Sequence, residues 1–236
     1  MQLCIIIKSG KSFNNMQKDT YRGLIVLSGG MDSVTMLYEF RKMIRLAVTF
    51  DYGSNHAAKE IAFAKEHCKL LGIEHIIIPL AFVKEYFKSS LLEGAEAIPE
   101  GYYTAENMKS TVVPFRNGIM LSIAAGIAES RGCNIVLLAN HAGDHAIYPD
   151  CRPDFISNMS EAISAGTYKK IRIYAPYTNY TKADIAKRGA ALGVDYSKTW
   201  SCYKGGERHC GKCGTCTERK EAFELAGVAD PTIYEN

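Results

Sequence analysis

The chain has 236 residues, 47% of them hydrophobic and 22% charged, with a formal net charge of +3 at pH 7. That is enough for one large domain, or for one domain with a small appendage. The charge is too mild to argue for nucleic-acid binding, and no apolar run approaches the roughly 20 residues of a membrane span. Cys4-Ile5-Ile6-Ile7 is too short for a signal-peptide core, so we expect a cytoplasmic protein whose eight cysteines act as thiols or metal ligands.

Residues 1–20 are polar and aperiodic from Ser9 onward and read as an N-terminal extension. From Tyr21 the pattern becomes regular. Leu24 to Leu27 predicts a buried strand, residues 31–42 a helix, and Arg45 to Phe50 a second strand ending in the turn Asp51-Tyr52-Gly53. His56 to Leu71 predicts a helix stopped by Gly72, and Glu74 to Pro79 a third strand. Residues 80–113 break this rhythm and are expected to form a mobile flap over a site, with a short helix near Val83 to Lys88.

Asn117 to Arg131 then predicts an apolar helix, Asn134 to Asn140 a fourth strand, His141 to Pro153 a polar loop and Asp154 to Ala165 a helix. Ile171 to Ala175 is the fifth strand, and Thr181, with Asp184 three residues on, can cap a helix running to Leu192. Apolar strands alternating with helices predict a doubly wound, five-stranded parallel α/β sheet over residues 21–199. Ligands of such folds sit beyond the carboxyl ends of the strands. Residues 200–236, dense in Cys and Gly, form a metal-binding C-terminal region.

The densest signal in the core is Ser28-Gly29-Gly30-Met31-Asp32-Ser33, between the first strand and its helix. A helix start offers free N–H groups and a positive dipole end, and glycines let backbone approach an anion closely. Ser28 and Ser33 can donate to phosphate oxygens, whereas Asp32 implies a metal ion or a cationic partner. No Gly-x-Gly-x-x-Gly stands here, and Gly10-Lys11-Ser12 lacks the first glycine of a Walker A loop.

Cys202, Cys210, Cys213 and Cys216 are spaced C-x7-C-x2-C-x2-C. Four thiolates close a tetrahedral shell, so this spacing predicts a structural zinc site. With four cysteines present, His209 is expected at the surface, and His56, His67 and His75 as partly exposed structural residues. His141 and His145, flanking Asp144, can be acid–base or metal groups, or ordinary loop residues. Arg116-Asn117 opens a helix, where Arg116 can hold an anion and Asn117 can cap. In Tyr148-Pro149-Asp150-Cys151-Arg152-Pro153, Tyr148 can stack on a planar ligand, Asp150 accept N–H donors and Arg152 bind an anion; the same residues also make an ordinary turn.

In combination these motifs resemble the QueC, or 7-cyano-7-deazaguanine synthase, family within the N-type ATP pyrophosphatases. The resemblance rests on the SGGMDS loop, Phe50-Asp51-Tyr52-Gly53, Pro114-Phe115-Arg116-Asn117, the YPDCRP loop, and Trp200-Ser201-Cys202-Tyr203 leading into the clustered cysteines. It implies a Rossmann-like domain of the adenine nucleotide alpha hydrolase type. It implies ATP-dependent conversion of 7-carboxy-7-deazaguanine and ammonia to the nitrile through an adenylated carboxylate and an amide. It also implies zinc, magnesium and a homodimer, acting on a free base with no direct nucleic-acid contact; no glutaminase domain is visible in the sequence, so free ammonium is the simplest supply.

The resemblance maps ATP contacts onto Leu27, Ser28, Gly29, Gly30, Met31, Asp32, Ser33, Val34, Thr35, Met36 and Leu37, with Phe50 and Tyr52 alongside. Ser28, Asp32, Ser33, Arg116 and Arg152 are the expected catalytic residues, with Asp32 holding magnesium and Lys182 reaching the phosphates. Asn117, Asp144, Tyr148, Asp150 and Arg152 are the expected contacts to the base. Ser54-Asn55-His56 and His145-Ala146-Ile147 depart from the family pattern. Two other readings remain: a tRNA-modifying thiolase with a cysteine-bound cluster, and a zinc-ribbon binding module on a degenerate nucleotide-binding domain.

Overall fold

A computed structural model describes residues 21–235. The expected N-terminal extension, residues 1–20 with Cys4, lies outside the described residues. Five parallel strands make one sheet: β1 (Gly23–Val26), β2 (Ile44–Asp51), β3 (Glu74–Pro79), β4 (Ile135–Leu137) and β5 (Arg172–Tyr174). Their order is β3-β2-β1-β4-β5, so the chain reverses its direction of travel across the sheet between β1 and β4. That switch opens a crevice past the carboxyl ends of β1 and β4.

Helices cover both faces, as alternation along the strands requires. Leu24, Leu46, Val48 and Val136 face a core shared with Leu121 and Ala124 of α5 (Arg116–Ser130) and Ile156 and Ile163 of α6 (Pro153–Gly166). Ile25, Ala47 and Leu137 face the opposite core. There they meet Val34 and Leu37 of α1 (Met31–Phe40), Ala64 and Cys68 of α2 (Ala57–Leu71), Ile185 of α7 (Lys182–Ala191) and Phe223 of α8 (Gly214–Ala226). β3 departs from the fully covered pattern. It is an edge strand, and Ile77 on it is exposed.

The expected cap of α7 forms in full: Asp184 N–H donates to Thr181 Oγ1 at 3.1 Å and Thr181 N–H to Asp184 Oδ2 at 2.9 Å. This reciprocal pair fixes Lys182, the first residue of the helix. The 80–113 insertion is anchored by buried Leu91, Leu92, Met108 and Thr111. It carries α3 (Ala81–Tyr86) and the single turn α4 (Ala105–Met108). Its far end joins the cysteine-rich tail, where Gly101 N–H donates to Lys212 O at 2.8 Å.

The tail is also packed into the body. Arg219 of α8 is fully buried, and its guanidinium donates to Tyr196 O, Thr199 Oγ1 and Ser201 Oγ at 2.9–3.1 Å. Among the described residues no single helix is long and apolar enough to cross a membrane.

Candidate active site

A cavity of about 210 Å³ lies at the switch point between β1 and β4. Its floor is the 28–33 loop, which its own side chains organise. Ser28 Oγ and Ser33 Oγ are 3.1 Å apart, Gly30 N–H donates to Ser28 Oγ at 3.1 Å and Ser33 Oγ to Gly30 O at 3.1 Å. No side chain caps α1 at Gly30, so the first-turn amides stay open. Gly29 has φ 89°, and a Cβ there would lie 2.2 Å from Glu60 O, so only glycine lets loop and α2 touch.

Asp32 projects from the first turn of α1 into a charged cluster. Its Oδ2 is 3.3 Å from Lys182 Nζ and 4.0 Å from His141 Nε2, while its Oδ1 is buried with no hydrogen-bond partner. Lys182 also donates to Glu218 Oε2 of α8 at 2.7 Å. Burial works against the lysine charge, but Asp32, Glu218 and Asp144 outweigh it and raise the pKa.

His141, left open between acid–base, metal and loop roles, is buried at the centre of this cluster. Its Nε2 is 3.6 Å from Asp144 Oδ1 and 3.9 Å from Glu218 Oε1, and its Nδ1 accepts from Gly143 N–H. Asp144 is held below the ordinary carboxyl value. Burial pushes it up, but His141, Lys182, the His141 N–H and the Tyr103 hydroxyl pull it further down.

The opposite wall is aromatic. Phe50, Tyr52, Tyr103, Tyr148 and Tyr203 line it, and Arg116 lies 5.3 Å over the Tyr52 ring while donating from Nη1 to the Tyr52 hydroxyl at 2.8 Å. The local backbone aims Arg116: Phe115 before it takes φ 53°. Its ring folds over Gly118, where a Cβ would lie 2.4 Å from the ring carbons. Tyr148 hydroxyl is 3.0 Å from Thr111 Oγ1 and 3.3 Å from the Tyr203 hydroxyl.

Glu60 and His56 complete this wall, with His56 Nε2 3.7 Å from Glu60 Oε2. Burial pushes the Glu60 carboxyl up to about 8 despite Arg116, and lowers His56 to about 4.

The structure therefore brings together Leu27, Ser28, Gly30, Met31, Asp32, Ser33, Phe50, Tyr52, Arg116, Asn117, Asp144 and Tyr148 around one cavity. Val34, Thr35, Met36 and Leu37 are instead fully buried inside α1. Two residues of the YPDCRP loop point elsewhere. Asp150 Oδ2 accepts from Asn117 N–H at 2.8 Å, satisfying the start of α5, and exposed Arg152 donates from Nε to His145 O at 3.0 Å.

The histidines differ from expectation. His209 is buried, not at the surface; it packs on Trp200 with ring centroids 4.2 Å apart and accepts from Ser201 N–H at 3.1 Å. His56 and His67 are buried as well, the latter between the Tyr38 hydroxyl and Lys198 O. Tyr203 closes the Trp200-Ser201-Cys202-Tyr203 motif but has no role assigned from sequence, and Glu60, Tyr103 and Glu218 are not singled out there at all. No local motif marks them, because each enters from a different element.

The sulfurs of Cys202, Cys210, Cys213 and Cys216 all lie within 4.8 Å of one another and all four residues are buried. The Cys202–Cys213 and Cys210–Cys216 sulfur pairs are 4.0 Å apart, near the edge of about 3.8 Å expected for four thiolates around one zinc-sized ion. Cys213 N–H and Lys212 N–H both point at Cys210 Sγ, at 3.3 and 3.5 Å, as suits a thiolate. The donor set therefore fits a single tetrahedral metal ion. Cys213 also precedes the first residue of α8, so the cluster sets the start of the helix that carries Glu218.

A family model described as "Queuosine biosynthesis protein QueC" matches residues 22–227. A 7-cyano-7-deazaguanine synthase of Porphyromonas gingivalis is 63% identical over 90% of this chain and 96% of its own length. Proteins of the same name from Desulfotalea psychrophila and Methanoregula boonei are 53% and 50% identical. They cover 89% and 91% of this chain and 97% and 99% of their own lengths.

Proposed function

The chain belongs to the QueC family of queuosine biosynthesis proteins, and on that premise we propose how its cavity turns 7-carboxy-7-deazaguanine, ATP and ammonia into 7-cyano-7-deazaguanine. In the first step a substrate carboxylate oxygen bonds to the α-phosphorus of ATP and the bond to pyrophosphate breaks. Ser28, Ser33 and the open amides of α1 face the charge that develops on the leaving pyrophosphate. Ammonia then attacks the acyl carbon, AMP leaves and an amide forms. The amide oxygen is adenylated by a second ATP, and loss of the remaining nitrogen protons with AMP leaves the nitrile.

The observation that carries this reading is the position of Asp32. Its buried Oδ1 has no partner, and it stands beside the anion loop and Lys182 in the same cavity as Arg116. That oxygen fits a magnesium ligand, and magnesium there would supply charge neutralisation on the phosphates. Lys182 adds a fixed positive charge at the same end. Arg116 suits the substrate carboxylate, and the Tyr103, Tyr148 and Tyr203 rings suit a flat purine-like base. Asp144, held ionised by its neighbours, is available to an N–H edge of that base.

Zinc suits the four cysteines, and a closed thiolate shell gives it a structural role. A homodimer in the cytoplasm, supplied with free ammonium, completes the proposal. The test is incubation with ATP, magnesium, ammonium and 7-carboxy-7-deazaguanine. Nitrile and AMP are expected. ADP alone, or ATP turnover indifferent to the deazaguanine, would overturn the reading.

A further inference from the structure

The nitrogen half of this chemistry needs a proton acceptor. Ammonia sheds one proton as it becomes an amide nitrogen, and the amide sheds two more as it becomes a nitrile. The cavity is lined by two histidines, His56 and His141, and by two carboxyls besides Asp32, Glu60 and Asp144, with Glu218 bonded to the lining Lys182; most of these are already committed. His141 Nδ1 accepts from Gly143 N–H and its Nε2 is surrounded by Asp144, Glu218 and Lys182. Asp144 accepts from the Tyr103 hydroxyl and from His141 N–H. Glu218 is bonded to Lys182.

Glu60 differs. Its carboxyl takes no hydrogen bond among the described residues, and its ion-pair contact, to His56 Nε2, is long at 3.7 Å. The backbone of α2 is locked against Gly29, and Glu60 Oε1 lies 3.9 Å from where a Cβ on Gly30 would sit. The side chain thus stands between the anion loop and Arg116, where leaving phosphate and substrate carboxylate must meet. We propose that Glu60 is the catalytic base that takes the nitrogen protons, first from the attacking ammonia and then from the amide as its adenylated oxygen departs. This rests on the reading above.

The charged and titratable groups facing it are His56 at the start of its own helix, Arg116 of α5 and Tyr52 just past the end of β2. With its pKa pushed up to about 8, the Glu60 carboxyl is ionised in only a minor fraction at neutral pH; that fraction is a strong proton acceptor and grows as pH rises through 8. His56 is lowered to about 4 and so adds no proton of its own in that range.

The test separates the two halves of the reaction in Glu60→Gln. Adenylation is read as pyrophosphate–ATP exchange dependent on 7-carboxy-7-deazaguanine. Nitrogen chemistry is read as nitrile formation from the 7-amide with ATP, which needs no ammonia. The amide-to-nitrile rate should fall at least about 100-fold and lose its rise through pH 8, while exchange falls less than about tenfold.

Nitrile formation within about threefold of the unsubstituted enzyme overturns the assignment, and so does an equal loss of both activities. Should the Gln variant fail to fold, Glu60→Asp carries the test, since an altered carboxyl must move the pH profile; an unmoved profile overturns the base. No carboxylate-dependent exchange in the unsubstituted enzyme overturns the functional reading instead, and the base with it.

Discussion

Lys182 Nζ donates to Glu218 Oε2 at 2.7 Å, joining the capped first turn of α7 to α8, the helix that starts within the cysteine cluster. The same nitrogen reaches Asp32 at 3.3 Å. One buried cation thus ties the four-cysteine tail to the acid of the 28–33 loop. Lys182→Met leaves these carboxyls without it. We expect a loss of about 3 kcal/mol in urea unfolding and at least a 100-fold fall in ATP turnover. Unchanged stability would show that the cluster does not need this charge.

Gly29→Ala tests the fit between loop and α2. The new Cβ would sit 2.2 Å from Glu60 O at φ 89°, so loop or helix must move. The expected result is a loss of about 2 kcal/mol and a collapse of pyrophosphate–ATP exchange. Exchange near the unsubstituted rate would mean that this loop geometry is not required.

Metal removal should reach the cavity through α8. Cys213→Ser, or dialysis against a strong chelator, is expected to lower the melting temperature and ATP turnover together, because Glu218 depends on the helix start that Cys213 provides. Elemental analysis of the intact protein should give about one zinc per chain and a colourless solution. A brown protein containing iron would contradict zinc and favour the thiolase reading.

Glu60 makes a stability prediction independent of any substrate. In the folded chain it holds its proton up to about pH 8, against 4.5 for an ordinary glutamate. Between those values the unfolded chain binds fewer protons, so stability falls as pH rises through that window. Glutamine has no such penalty. The stability of Glu60→Gln relative to the unsubstituted protein should therefore grow from pH 4.5 to 8, by no more than about 1.4 kcal/mol per pH unit. The side chain keeps 18% exposure, which makes the slope shallower. His56, lowered to about 4, gives the opposite trend in both proteins and drops out of the difference. Urea midpoints at several pH values read this directly; a flat difference would remove the burial argument.

The sheet was legible because its signals are local. Apolar runs, glycine stops such as Gly72 and the Thr181–Asp184 box each lie within a few residues of the element they define. The strand–loop–helix turn at 28–33 and the cysteine spacing were legible for the same reason. Glu60 and Glu218 were not. Each looks like an ordinary helical acid until the fold turns Glu60 to the cavity and sets Glu218 on Lys182. The YPDCRP loop misled in part, because composition cannot tell that Asp150 is spent on the amide of Asn117. His209 misled because an aromatic neighbour, Trp200, and a backbone donor, Ser201 N–H, bury it.

The central claim is that one cavity activates the same carbon twice, each time through oxygen attack on an α-phosphorus. Labelling both carboxylate oxygens of 7-carboxy-7-deazaguanine with oxygen-18 tests it most directly. Two AMP should form per nitrile, each carrying one labelled oxygen. Unlabelled AMP, label in inorganic phosphate, or a single AMP per nitrile would contradict the account.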